Sequence, residues 1–210
     1  NDYFEKKIIQ TIEFINKNFL NTKYNLLGSA YDADSEGEEG KYYVFNYNEL
    51  KDIKDIEQYF DIKPDGNWEN KIILREIKPP PETVVGKLKD LRKKKNKPFF
   101  DSKIQLDLNC LWVSALISAG KVLPKNNYLQ IAETFYNNLE KIFLRENKLH
   151  HTNSKTFVFL EDYAYAISML LDLSDQTLKP NYLLKARDLC KKTIDLFYVK
   201  EKSIFQKNII

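Results

Sequence analysis

The chain has 210 residues, of which 43% are hydrophobic and 30% are charged, which is enough for one substantial core with an ordinary soluble surface. The 33 basic and 30 acidic residues leave a net charge of +3, and so weak a mean field does not indicate a nucleic-acid partner. Because no run of eighteen apolar residues and no signal-like leader occur, we expect one cytoplasmic domain over residues 1–210 with no membrane partner.

Helical patterns dominate the chain. Apolar residues spaced as in a helix predict an amphipathic helix from near Tyr3, and a shorter one is predicted at 48–59. The next segment predicts a turn at 61–67 and a strand at 71–77. Three prolines then precede a helix that begins at Glu82. Four further helices are predicted at 104–122, 128–143, 159–173 and 181–197. Two short strands are predicted at 148–152 and 203–206.

The order of these elements predicts a mainly α fold. Helix pairs with short turns between them alternate with longer polar segments, which is typical of an α/α-hairpin toroid. No strict repeat of 34 or about 40 residues is visible, so a regular solenoid is less favoured.

Residues 28–45 read GSAYDADSEGEEGKYYVF and form the most acidic segment. We expect a β-hairpin here, with Tyr42–Phe45 as the return strand. Such clustered charge needs solvent, a cation or a polyhydroxy ligand. An EF-hand register fails because Tyr43 stands where a bidentate Glu is required. We therefore predict a polar loop at the rim of a cleft and no metal site, with three ligand-binding candidates, Asp32, Asp34 and Glu36.

Two carboxylates, Glu161 and Asp162, stand near the start of a predicted helix. Stabilisation of negative charge by the helix dipole is a sufficient explanation for them. The alternative is that they share acid and base roles in glycoside cleavage, with Asp101 as a further catalytic candidate. Their neighbour Tyr163 is a ligand-binding candidate. Lys103 and Asn109 either bind ligand hydroxyls or serve as capping and surface polar groups.

Cysteines and histidines predict no cofactor. Cys110 and Cys190 lie far apart within helical patterns, and we expect both to be buried, reduced thiols. His150 and His151 are adjacent, which does not suit a two-histidine metal grip, and we assign them no catalytic role. The basic run at 87–97 contains no nucleic-acid-binding motif and predicts a solvated helix end.

Several segments together resemble a known family. The acidic segment above, NELKDI, DIKPDGNWENKIILREI, FDSKIQLDLNCLWVSALISAGKVL and FVFLEDYAYAISMLLDL resemble, in order and spacing, the bacterial YyaL-type proteins and the spermatogenesis-associated protein 20 family. The resemblance implies a six-hairpin, glycosidase-like (α/α)6 toroid, of which this chain would be a partial domain without the family's thioredoxin-like domain. Relatives tend to read SWNGL where this chain has Leu108 in the tryptophan position, which weakens the case for an ancestral sugar platform.

Two functions remain open at this point. One is carbohydrate binding or processing, as in a hydrolase or a sugar epimerase, with a sugar or sugar-derived ligand. The other is a non-catalytic interaction module that self-associates or docks to a complementary chain through helix faces that a partial toroid leaves uncovered. A redox function has no cysteine pair to support it.

Overall fold

Five long helices carry most of the structure, a computed structural model that describes residues 2–144, 149–154 and 156–209. The helices are α1 (Asp2–Phe19), α4 (Leu106–Val122), α5 (Tyr128–Phe143), α6 (Leu160–Thr177) and α7 (Pro180–Phe197). All five were predicted from apolar spacing to within a few residues. The fold is thus mainly helical with small antiparallel sheets.

The chain divides into two compact units. The first unit combines Asn1–Ala30 with Ser102–Ile210, and the second is the continuous segment Tyr31–Asp101. Each has its own hydrophobic core. The sequence predicted one domain over 1–210; the two units are described separately below.

In the first unit, helices α4 and α5 pack against each other, as do α6 and α7, and α4 also packs on α6. The connections within each pair are short, so the unit contains two helical hairpins whose first helices lie side by side. Their shared core is fully enclosed at Leu116, Leu139, Leu170 and Phe197. None of the helices in the described ranges is long and apolar enough to cross a membrane.

Short strands border this helical core. Strands β1 (Leu20–Asn21), β2 (Leu26–Tyr31) and β5 (Phe100–Ile104) form a sheet in the order β1-β2-β5. Strands β6 (Tyr198–Val199) and β7 (Ile204–Phe205) pair antiparallel, in agreement with the strand predicted at 203–206. The strand predicted at 148–152 is seen only as a single bridge between Thr152 and Gln105, and residue 148 lies outside the described residues.

The second unit is built mostly from turns, in contrast to the prediction. The acidic hairpin is β3 (Asp34–Ser35) paired with β4 (Glu38–Glu39), and residues 42–45 are a turn and one bridge rather than the return strand. The helix predicted at 48–59 consists of α2 (Tyr47–Leu50) and a separate 3-10 turn, Ile56–Gln58.

Three further features complete the second unit. The strand predicted at 71–77 is reduced to isolated bridges. The turn predicted at 61–67 is present and needs glycine, because Gly66 has a positive φ and a side chain there would clash with the Lys71 backbone. The helix after the prolines is α3 (Glu82–Lys93), which buries Val84 and Leu88.

Candidate functional site

The carboxylate of Asp162 holds the start of α6. Phe159 occupies the N-cap position and has no polar side-chain atom that could cap the helix. Instead, the Phe159 backbone N–H donates to Asp162 Oδ2 at 2.8 Å. This is the reciprocal half of a capping box, supplied from the third helical position. Asp162 is completely buried, at 0% exposure, so its second oxygen also needs a partner.

That partner is His151. His151 Nδ1 lies 2.9 Å from Asp162 Oδ1, and the imidazole packs edge-on against Phe159. The backbone places the histidine here, because Leu106 N–H donates to the His151 carbonyl at 2.9 Å and Thr152 bridges to Gln105. The start of α4 therefore carries the histidine segment to the start of α6.

A second carboxylate, Asp107 in the first turn of α4, completes the group. One potential ligand atom from each of Asp107, His151 and Asp162 lies within 4.8 Å of the others, and we call these three residues the Asp–His–Asp cluster. In the described part of the chain, no lysine or arginine forms an ion pair with either carboxylate. The cluster thus concentrates negative charge at the adjoining N-terminal ends of two helices, where backbone N–H groups favour it.

Burial sets the electrostatics of the cluster. It raises the pKa of Asp162 above its ordinary value, although His151 and the Phe159 N–H favour the charged form. The nearby charge of Asp107 raises that pKa further. Burial also raises the pKa of Cys110 well above the usual thiol range, and both carboxylates add to that shift. Cys110 is therefore a protonated core thiol, as predicted.

On its other side, His151 contacts Gln105. His151 Nε2 lies 3.0 Å from the Gln105 amide nitrogen. The Gln105 oxygen lies 2.5 Å from Ser29 Oγ, which is also 2.8 Å from the Lys103 carbonyl oxygen. The His151 side chain is 17% exposed. Its imidazole is thus held at one nitrogen by Asp162 and at the other by Gln105, which Ser29 in turn contacts.

The other predicted residues of the first unit have distinct surroundings. Glu161 is 41% exposed and lies 3.5 Å from Lys207 Nζ. Tyr163 is buried and packs edge-on against Phe197. It also lines an apolar cavity of about 580 Å³ together with Leu149, His150, Thr156, Phe157, Val158, Leu196 and Ile209.

Asn109 is fully buried and serves the backbone. Its Oδ1 accepts from Leu27 N–H at 2.8 Å, and its amide nitrogen donates to the carbonyls of Leu27 and Gln105, each at 2.9 Å. These bonds tie α4 to β2. Lys103 is exposed, and its carbonyl accepts from Ser29.

The acidic hairpin and Asp101 belong to the second unit. Asp32 Oδ1 accepts from the Asp34 N–H at 3.2 Å, a local turn contact. Glu36 pairs with Lys41 at 3.2 Å and accepts from Asn96 at 2.9 Å, and the hydrogen bond from Lys41 is the main reason that its pKa is lowered. The ligand-binding role predicted for these acids stays a prediction.

A polar cleft of about 420 Å³ lies within the second unit, beside the hairpin. Both acidic and basic side chains line it: Glu36, Glu38, Glu49, Lys41, Lys71, Lys94 and Lys95. The basic run is only partly the solvated helix end that was predicted, because Arg92 and Lys95 both lie over the ring of Phe45.

Two cluster members were missed by the sequence reasoning, and one cysteine prediction was wrong. His151 was assigned no role, and Asp107 was not singled out. The sequence signal that could have identified His151 was a histidine in the polar segment just before the helix predicted at 159–173. Cys190 is exposed rather than buried, because its position on α7 faces solvent.

No protein-family model matches this chain. An uncharacterized protein of Caenorhabditis elegans is 26% identical over an alignment of 178 residues, which covers 70% of this chain and 24% of that protein. The crystal structure of a D-mannose isomerase is similar over 97% of this chain and 56% of its own, with 13% identity and a TM-score of 0.45. The chain therefore spans about a quarter of the Caenorhabditis elegans protein and about half of the isomerase. Neither similarity establishes a family.

Proposed function

We propose that this chain forms part of an α/α toroid that binds, and in its complete form processes, a carbohydrate. The observation that carries the proposal is the Asp–His–Asp cluster at the adjoining N-terminal ends of α4 and α6. Two helical hairpins whose first helices lie side by side are the unit from which such toroids are built. The sequence resemblance to the YyaL-type family supports the same architecture.

Carboxylates and imidazoles suit a sugar ligand, because they accept hydrogen bonds from hydroxyl groups in fixed directions. Because Asp162 is completely buried and both of its oxygens are engaged, we propose that it positions His151, and that Asp107 rather than Glu161 is the carboxylate that contacts the ligand. The ion pair of Glu161 with Lys207 gives that side chain a structural explanation. Roles for Asp101 and for the hairpin acids remain predictions of the sequence.

A calorimetric screen of the full chain against neutral monosaccharides, amino sugars and sugar phosphates tests this proposal. We expect saturable binding of at least one class, weakened about tenfold or more in Asp107→Asn. Glu161→Gln is the matched control and should leave binding unchanged. If no class binds, or if Asp107→Asn binds as tightly as the unmodified chain, the carbohydrate proposal is wrong.

A further inference from the structure

The hydrogen-bond partners of Ser29 assign a proton to His151 Nε2. A serine hydroxyl has one hydrogen, yet Ser29 Oγ lies within hydrogen-bond distance of two oxygens, the Lys103 carbonyl and Gln105 Oε1. Exchanging the nitrogen and oxygen of the Gln105 amide removes this conflict at Ser29. Gln105 then donates to Ser29, Ser29 donates to Lys103, and the Gln105 oxygen accepts from His151 Nε2–H.

With the proton on Nε2, the lone pair of His151 Nδ1 faces Asp162 Oδ1 at 2.9 Å. Two acceptor atoms at this distance need a positive centre between them, which is either a second proton on the imidazole or a metal ion. Two atoms that each bind one zinc ion at about 2.0–2.1 Å lie about 2.9–3.4 Å apart, between right-angle and tetrahedral geometry. The observed separation falls at the short end of that range.

Asp107 offers a third ligand atom within 4.8 Å of the other two. Two carboxylates and a neutral imidazole carry a charge of about −2, which one divalent ion neutralises. In the described ranges of the chain, neither lysine nor arginine pairs with these carboxylates. Among the described residues, His151 is therefore the only basic side chain paired with the fully buried Asp162.

We propose that the Asp–His–Asp cluster binds one divalent cation of the zinc type through His151 Nδ1 and one oxygen each of Asp107 and Asp162. Mixed imidazole and carboxylate ligands suit this class of ion, and three protein ligands leave a position open for water or a hydroxyl group. Gln105, which is held by Ser29, contacts the other ring nitrogen and orients the imidazole. The inference is independent of the carbohydrate proposed above.

Zinc titration of the full chain tests the site without any sugar. The chain is stripped with EDTA, dialysed and titrated with ZnCl₂ by calorimetry in a Cys190→Ser background, because the exposed thiol of Cys190 is itself a zinc ligand. We expect one saturable site. His151→Gln and Asp107→Asn should each weaken it tenfold or more, and circular dichroism should show unchanged helix content in both.

Two neighbouring residues provide matched controls. His150→Gln and Glu161→Gln remove a histidine and an acid one position away from cluster members, and both should bind zinc within twofold of the background chain. The proposal is wrong if the background chain shows no saturable binding, if both cluster variants bind normally, or if the controls lose as much affinity. In each of these cases a proton, rather than a metal ion, joins His151 to Asp162.

Discussion

The carboxylate of Asp162 serves the helix and the cluster with different oxygens. Oδ2 satisfies the Phe159 N–H at the start of α6, and Oδ1 faces His151. A completely buried carboxylate is costly unless both oxygens have partners. This side chain therefore fixes the direction of α6 and the position of the imidazole at once.

The contribution of the buried Asn109 side chain to stability can be measured by substitution. Asn109→Ala would leave the buried N–H and C=O of Leu27 without their amide partner. We expect a loss of about 2–3 kcal/mol in the free energy of unfolding, because unsatisfied buried backbone groups cost about 1–3 kcal/mol each. Urea denaturation, monitored by circular dichroism, measures this loss in the free energy of unfolding.

Asn137→Ala is the control for this substitution. Asn137 lies on the exposed face of α5, where such changes usually stay within about 0.5 kcal/mol. Equal, small effects of the two substitutions would mean that the Asn109 amide does not hold β2 against α4.

Local pattern identified Asp162 but not its partners. Residues 159–164, FLEDYA, place Asp162 at the third position of the helix. Such a capping acid can be recognised from the sequence, because capping involves residues only a few positions apart. His151 and Asp107 join it only when the segment before α6 meets the start of α4, and that meeting depends on the bridge between Thr152 and Gln105. Contacts of this kind leave no periodic signal in the sequence.

Among the elements, the long helices were predictable, whereas most of the short strands were not. The apolar stripe of α5 repeats over several turns and buries Ala132, Phe135, Leu139 and Phe143. Residues 42–45 and 59–77 instead consist of turns, irregular segments and single bridges, so the segments with strand propensity have no partner strand long enough to pair with. Strand predictions there failed because pairing is a tertiary property.

Two ion pairs join α5 to α7. Lys185 contacts Glu140 and the hydroxyl of Tyr136, and Lys179 contacts Glu133, which also accepts from Tyr182 at 2.9 Å. Burial opposes the charged form of both glutamates, but these hydrogen bonds outweigh it and hold each pKa below the ordinary value.

A pH-dependent contribution to stability follows from these two pKa values. Because both are lowered on folding, their contribution is present above the unfolded value of about 4.3 and is lost as the pH falls through the folded value. Replacing both Glu133 and Glu140 by Gln should cost about 1 kcal/mol at pH 7, since both carboxylates are partly exposed. The difference from the unmodified chain should shrink between about pH 5 and pH 3.

Urea unfolding at several pH values measures this difference. Asp175→Asn, an exposed change on α6, is the control for the loss of negative charge alone. A deficit in the Gln variant that stays constant down to pH 3 would show that the glutamates do not act through their ionisation.

At the scale of the whole molecule, the described residues form two hydrophobic cores rather than one. Ile72, Phe45, Leu50 and Ile56 meet in the core of the second unit, whereas Leu170 belongs to the core of the first. Composition alone predicts enough apolar material for a core, but it does not tell whether that material is shared between two. The boundary between the units falls within β2 and β5, where no proline- or glycine-rich linker marks it.

Separate cores predict separate responses to a cavity. Ile72 is completely buried, and Ile72→Ala should cost about 2–5 kcal/mol, mostly within the second unit. Hydrogen exchange measured by mass spectrometry should then show faster exchange in peptides from residues 45–91 and unchanged protection in α4 and α6. Leu170→Ala is the matched substitution, and it should produce the opposite distribution. If either substitution accelerates exchange equally in both units, the two cores unfold as one cooperative structure, and the division into units describes packing without describing stability.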